Sequence, residues 1–247
     1  MTQNAINIRN VILVITIVLN FIKCQQVTKP SDFVNTDTNH FQFIIYDQID
    51  SSAIIGAIEE LQNNYARILN NLSIEEIPKI TIKIWGNYSH FLSDMESDIG
   101  VIYNGAAGYI FSPTEIRLFK NSDINKNMVH EFIHIVSMYV NLTIPNNPRW
   151  LWETVALYEN NEFINPNNIS YLVDGDFPTL NELNSDFNAS KKIYEVGYLL
   201  GDYIVEKYGR EQFIQLIRSN GDIQSTLRIS ENEFENQWKI FVQNKYL

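Results

Sequence analysis

The residues best suited to chemistry are two histidines and a glutamate in one short run, His130-Glu131-Phe132-Ile133-His134. They lie within Asn127 to Val136, whose apolar residues recur three and four apart, so the spacing predicts a helix there. On a helix, positions i and i+4 share a face and sit about 6 Å apart along the axis. Both imidazoles can therefore reach one metal ion. Glu131 comes next along the turn and can face the open side of that metal, where it would take a proton from a water the metal has acidified. The pattern also has a plainer reading, two histidines on a core-facing helix satisfied by hydrogen bonds. The chain holds four histidines and two of them fall here, which weakens that reading.

A catalytic metal site needs a third protein ligand and an open fourth position. Glu153 is the candidate, in Arg149-Trp150-Leu151-Trp152-Glu153-Thr154-Val155-Ala156-Leu157-Tyr158. Pro145 and Pro148 break the chain before this second helix. A short turn would return it beside the first and bring Glu153 near His134. The apolar and aromatic neighbours of Glu153 argue against an ordinary solvated glutamate, because an unpaired charge is costly there. Glu159 on the same helix is held in reserve as a ligand.

Eighteen residues separate His134 from Glu153, and the pattern resembles the gluzincin metallopeptidases. It is most similar to aminopeptidase-N-like catalytic domains and to compact peptidase MA-like domains. That family carries its third ligand in a Trp-Leu-Asn-Glu-Gly-Phe-Ala-x-Tyr pattern, matched here by Trp150, Leu151, Glu153, Ala156 and Tyr158. Trp152, Thr154 and Val155 stand where the family has Asn, Gly and Phe. The family's Tyr-x-x-Gly helix start resembles Tyr194-Glu195-Val196-Gly197, which implies Tyr194 as a donor to the oxyanion, with Tyr198 one turn on as the alternative. The resemblance implies a thermolysin-like zincin fold over 40–247, one zinc ion held by His130, His134 and Glu153, and Glu131 as base in the hydrolysis of a peptide or protein substrate. One family element is missing. The Gly-x-Met-Glu-Asn stretch that binds a substrate amine is replaced by Gly105-Ala106-Ala107-Gly108-Tyr109-Ile110, which has no acid. This stretch can still serve as an edge strand for an extended peptide.

The elements that must position these residues divide in two along the chain. Phe41 to Tyr46 and Ile80 to Trp85 read as strands, and Gly108–Phe111 with Glu115–Phe119 as a hairpin. Between them, Ile54 to Leu69 has helical spacing, with Ser51 or Ser52 as its cap, and Ser89 to Met95 reads as a short helix. From Asn125 onward the pattern is helical: 127–140, 150–160, 193–208, 210–218 and 231–243, the last capped by Ser230. The predicted class is α+β, with an N-terminal strand-containing lobe and a C-terminal helical lobe.

The remaining signals concern location and partners. Arg9 followed by the apolar run Val11 to Ile22 reads as a signal peptide over 1–24, and 25–39 as a polar tether. Cys24, the single cysteine, resembles the acylated cysteine of a bacterial lipoprotein, although Lys23 and Phe21-Ile22 depart from the small residues usual before it. The expectation is an exported protein, either secreted or attached to the membrane through the N-terminus or a lipidated Cys24. A net charge of −11 with no basic cluster argues against nucleic acid as a partner. The competing functional class is a catalytically inactive, envelope-anchored zinc-binding or protein-binding module of the same fold. The intact Glu131 argues against it, since a pure binding site has no need of a base.

Overall fold

The computed structural model describes residues 33–247. The expected signal segment, Cys24 and the first part of the tether lie outside the described residues. Among those described, no helix is long and apolar enough to cross a membrane.

The architecture is mixed α+β. Five strands come first: β1 (Phe33–Asp37), β2 (Phe41–Tyr46), β3 (Ile80–Trp85), β4 (Gly108–Ser112) and β5 (Glu115–Phe119). They form one sheet in the order β1-β2-β3-β5-β4. The three central strands run parallel, and each edge strand is antiparallel to its neighbour. β-Branched residues alternate in β3, so Ile80, Ile82 and Ile84 all point to one buried face. Phe41, Phe43 and Ile45 of β2 share that face. β1 is a departure from the sequence reading, because its residues fall inside the expected tether. It joins the sheet by backbone pairing with β2, an interaction that composition does not advertise.

Two helices sit among the strands. α1 (Ile55–Asn71) follows a 3-10 turn at Ser51–Ala53, so the two serines form that turn and do not cap the helix. α2 (Tyr88–Ile99) is longer than expected and is capped by the Asn87 side chain, which accepts from the amides of Ser89 and His90. α2 covers the opposite sheet face through Trp85, Phe91, Met95 and Tyr109.

The helical half begins with α3 (Ile124–Val140) and α4 (Arg149–Glu159), continues through the short α5 (Ser170–Val173) and α6 (Leu180–Leu183), then α7 (Lys192–Tyr208), α8 (Arg210–Arg218), α9 (Ile223–Leu227) and α10 (Glu231–Tyr246). α10 carries the expected Ser230 cap, whose hydroxyl accepts from the Glu233 amide. α3 is apolar almost all round and runs through the middle of the core. Phe132 locks it to the strand half by an edge contact with Phe41 at 5.2 Å and a stack on Tyr65 at 5.5 Å. α4 packs most closely on α7. Gly197 and Gly201, one turn apart on α7, make this possible: a Cβ on Gly201 would meet the Tyr158 Cβ at 2.5 Å, and one on Gly197 would collide with Leu157. That close approach brings Tyr194 beside Glu153.

Candidate metal centre

His130 and His134 project from one face of α3, and Glu153 projects toward them from the second turn of α4. His130 Nε2 lies 3.3 Å and His134 Nε2 3.5 Å from Glu153 Oε2, and one ligand atom from each of the three falls within 4.8 Å of the others. Ligands about 2.0–2.1 Å from a tetrahedral ion are separated by roughly 3.4 Å, so the trio fits a divalent metal. Glu153 Oε2 is buried and has no hydrogen-bond partner among the described residues. A buried carboxylate oxygen without a partner is unfavourable, and a cation at the point of convergence removes the penalty. This buried His-His-Glu group can hold a metal ion.

The histidines are held in different ways. His130 Nδ1 lies 2.7 Å from Glu162 Oε1. A carboxylate only accepts, so this contact keeps a proton on Nδ1 and turns Nε2 toward Glu153. Glu162 is anchored in turn by the Asn160 side-chain amide at 2.6 Å and by Lys126 at 2.9 Å. His134 has no such support, since its buried Nδ1 lacks a partner among the described residues. Its ring instead stacks on Trp152, with centroids 3.9 Å apart and planes 10° from parallel. Trp152 thus orients the second imidazole by packing.

Electrostatics follow from burial and crowding. Burial pushes the Glu131 carboxyl up to about 7, with Glu153 and Glu162 adding to the push and His130 opposing it. Burial alone would depress His130, but the neighbouring carboxylates of Glu153 and Glu162 outweigh that and raise it to about 10. His134 is lowered, chiefly by burial. Burial works against ionised Glu153, yet the two imidazoles hold it well below the usual carboxylate range. Burial also raises the Tyr194 hydroxyl, with the Glu153 charge adding to the effect.

Glu131, His130, His134 and Glu153 line a cavity of about 620 Å³ together with β4 and Tyr194. β4 is an edge strand and runs along this cavity. Gly108 sits against Glu131, where any Cβ would come within 2.8 Å of Glu131 Oε1. Tyr194 is at the site as expected, but its hydroxyl donates to Glu153 Oε1 at 3.0 Å.

Two reserve assignments are corrected. Glu159 lies away from the cavity, where it accepts from Asn71 at 2.7 Å, from Arg67 at 3.4 Å and from Arg210. It ties α1, α4 and α8 together. Tyr198 packs between Tyr158 and Phe163 and does not line the metal cavity. Sequence reasoning missed Glu162, Arg149 and Phe187 altogether. Glu162 alone left a trace, as an acid a few residues past the Glu153 helix.

No protein-family model matches the chain, and no curated protein matches its sequence.

Proposed function

We propose that this chain is an exported zinc-dependent metallopeptidase of the gluzincin type, with a thermolysin-like zincin fold. The observation that carries the reading is the convergence of His130, His134 and Glu153 on one point, with the half-buried Glu131 carboxyl on the same cavity wall. His130, His134 and Glu153 would hold the zinc, whose chemistry is Lewis acidity toward a water and a peptide carbonyl. Two imidazoles, one carboxylate and an open position suit zinc among the divalent ions.

The residues of the chain supply the rest. An extended peptide pairs with the free edge of β4, which needs no side-chain complementarity to set its depth in the cleft. Glu131 accepts a proton from the attacking water as the hydroxyl bonds to the scissile carbonyl carbon. It then returns that proton to the amide nitrogen as the C–N bond breaks, so the amine leaves neutral. Burial raises the Glu131 carboxyl above the ordinary glutamate range, which favours its holding the proton between the two transfers. Tyr194 steadies the Glu153 carboxylate through Oε1. It lies on the cavity wall, from where it can donate to the developing oxyanion when it exchanges that partner.

Glu131→Gln tests the reading. It keeps the shape of the side chain but removes the base, so hydrolysis of unfolded casein should fall by at least about 100-fold while zinc stays bound. Full activity in this variant would refute Glu131 as the base.

A further inference from the structure

The metal cavity has unlike ends. It follows the chain from Ala106 through β4 to Pro113. At the Ala106 end the walls are joined: Tyr103, from the strand half, meets Phe187, from the helical half, edge-on at 5.7 Å. Phe187 in turn meets Tyr194 edge-on at 5.9 Å, and Lys191 lies 4.6 Å over the Phe187 ring. At the Pro113 end no ring contact joins the walls among the described residues. An extended chain lying on β4 therefore meets an aromatic barrier at the Ala106 end.

Arg149 stands behind the barrier. It is 6% exposed, lines the cavity, and is the one Lys or Arg to do so among the described residues. Its Nη1 donates to the carbonyls of Ser185 and Ser190, stapling both ends of the loop that carries Phe187. Its guanidinium carbon lies 5.5 Å from the Tyr194 ring. Its Nη2 is buried without a hydrogen-bond partner among the described residues. A buried guanidinium with unused N–H groups is costly, and its planar fork matches a carboxylate. The nearby acid, Asp186, is exposed and already accepts from the Asn188 amide, so a substrate amine finds no comparable anchor.

We propose that Arg149 and the Tyr103–Phe187 barrier form a chain-end subsite, which takes the C-terminal carboxylate of a peptide and makes the enzyme trim substrates from that end. The inference rests on the peptidase reading above and adds the substrate class. The cleft blocks passage of the chain on one side, and the group waiting at the block is a cation.

The test uses the full chain as the zinc-loaded Glu131→Gln variant, so that binding is read without turnover. A short apolar peptide, labelled at its N-terminus with fluorescein, is offered as the free acid, as the C-terminal amide, and as an amide ending in Asp. Fluorescence polarisation should give the free acid at least about tenfold tighter binding than either amide, the scale of a charge-assisted hydrogen bond. Adding Arg149→Gln should bring the acid down to the amide. Because that change also removes the loop staple, Phe187→Ala serves as a second variant: it opens the barrier and should narrow the gap between acid and amide. Equal binding of acid and plain amide, tight binding of the Asp-amide peptide, or no binding of any of the three would each overturn the subsite. If the acid is preferred but the zinc-loaded native chain cleaves no peptide, the subsite stands and the peptidase reading fails. If the native chain cuts acid and amide alike at internal bonds, the peptidase reading stands and the subsite fails.

Discussion

The contact between Glu162 and His130 offers a graded test of the metal centre. Glu162 does not touch the point where His130, His134 and Glu153 converge; it acts through His130 Nδ1, 2.7 Å away. Removing a carboxylate that orients a ligand histidine costs about 10–100-fold in metal affinity, or roughly 1.4–2.7 kcal/mol. Glu162→Ala should show that full loss. Glu162→Gln keeps an acceptor of the same size but without charge, and a neutral bond is about half as strong, so its loss should be about tenfold or less. Lys126 loses a partner in both variants, but it is half exposed and that pair contributes only about 0–1 kcal/mol to folding. Zinc affinity is read by competition against a chromophoric chelator, with thermal unfolding as the check on fold. The order expected is native, then Gln, then Ala. If Glu162→Ala binds zinc as tightly as the native chain while remaining folded, the orienting role is refuted. If it also unfolds, Glu162 belongs to the scaffold and not to the metal.

Two further substitutions separate site from scaffold. Glu159→Ala leaves Arg67, Arg210 and Asn71 without their shared acceptor. It should destabilise the fold by on the order of 2–3 kcal/mol in urea unfolding, discounted because both arginines reach solvent, with zinc content unchanged; loss of zinc in the folded variant would restore Glu159 as a ligand. Tyr194→Phe removes the donor to Glu153 Oε1, so turnover should fall by at least about tenfold and zinc affinity by up to about tenfold. Unchanged turnover would exclude Tyr194 from the reaction.

Much of the positional information was local and therefore readable. The β3 strand falls on Ile80–Trp85 as its alternation requires, and the hairpin pairs β4 with β5. His130 and His134 share a face because four residues make about one helical turn. The same arithmetic separates Glu159 from Glu153: six residues advance a helix by about 600°, which leaves the two side chains roughly 120° apart. Tyr198 lies on nearly the same face as Tyr194 but one turn further along, which carries it past the site to Phe163. What remained hidden depends on distant chain segments. β1 is defined by a ladder with β2, not by its own residues. Glu162 matters because a bend after α4 returns it to His130, 32 positions earlier. Nothing in the sequence singles out Arg149, because its carbonyl partners lie in a loop 36 and 41 residues on. Trp152 was visible as a departure from the family pattern, but its stack on His134 is a product of packing between α3 and α4.

The most direct test of the metal centre is the zinc content of the purified full chain by elemental analysis, set against Glu153→Ala. The proposed function predicts about one zinc per chain in the native protein and a large loss in the variant, because two imidazoles alone leave the set short of its third ligand. A folded native chain that takes up no metal from zinc-containing buffer, or a Glu153→Ala variant that keeps its zinc in full, would contradict the account.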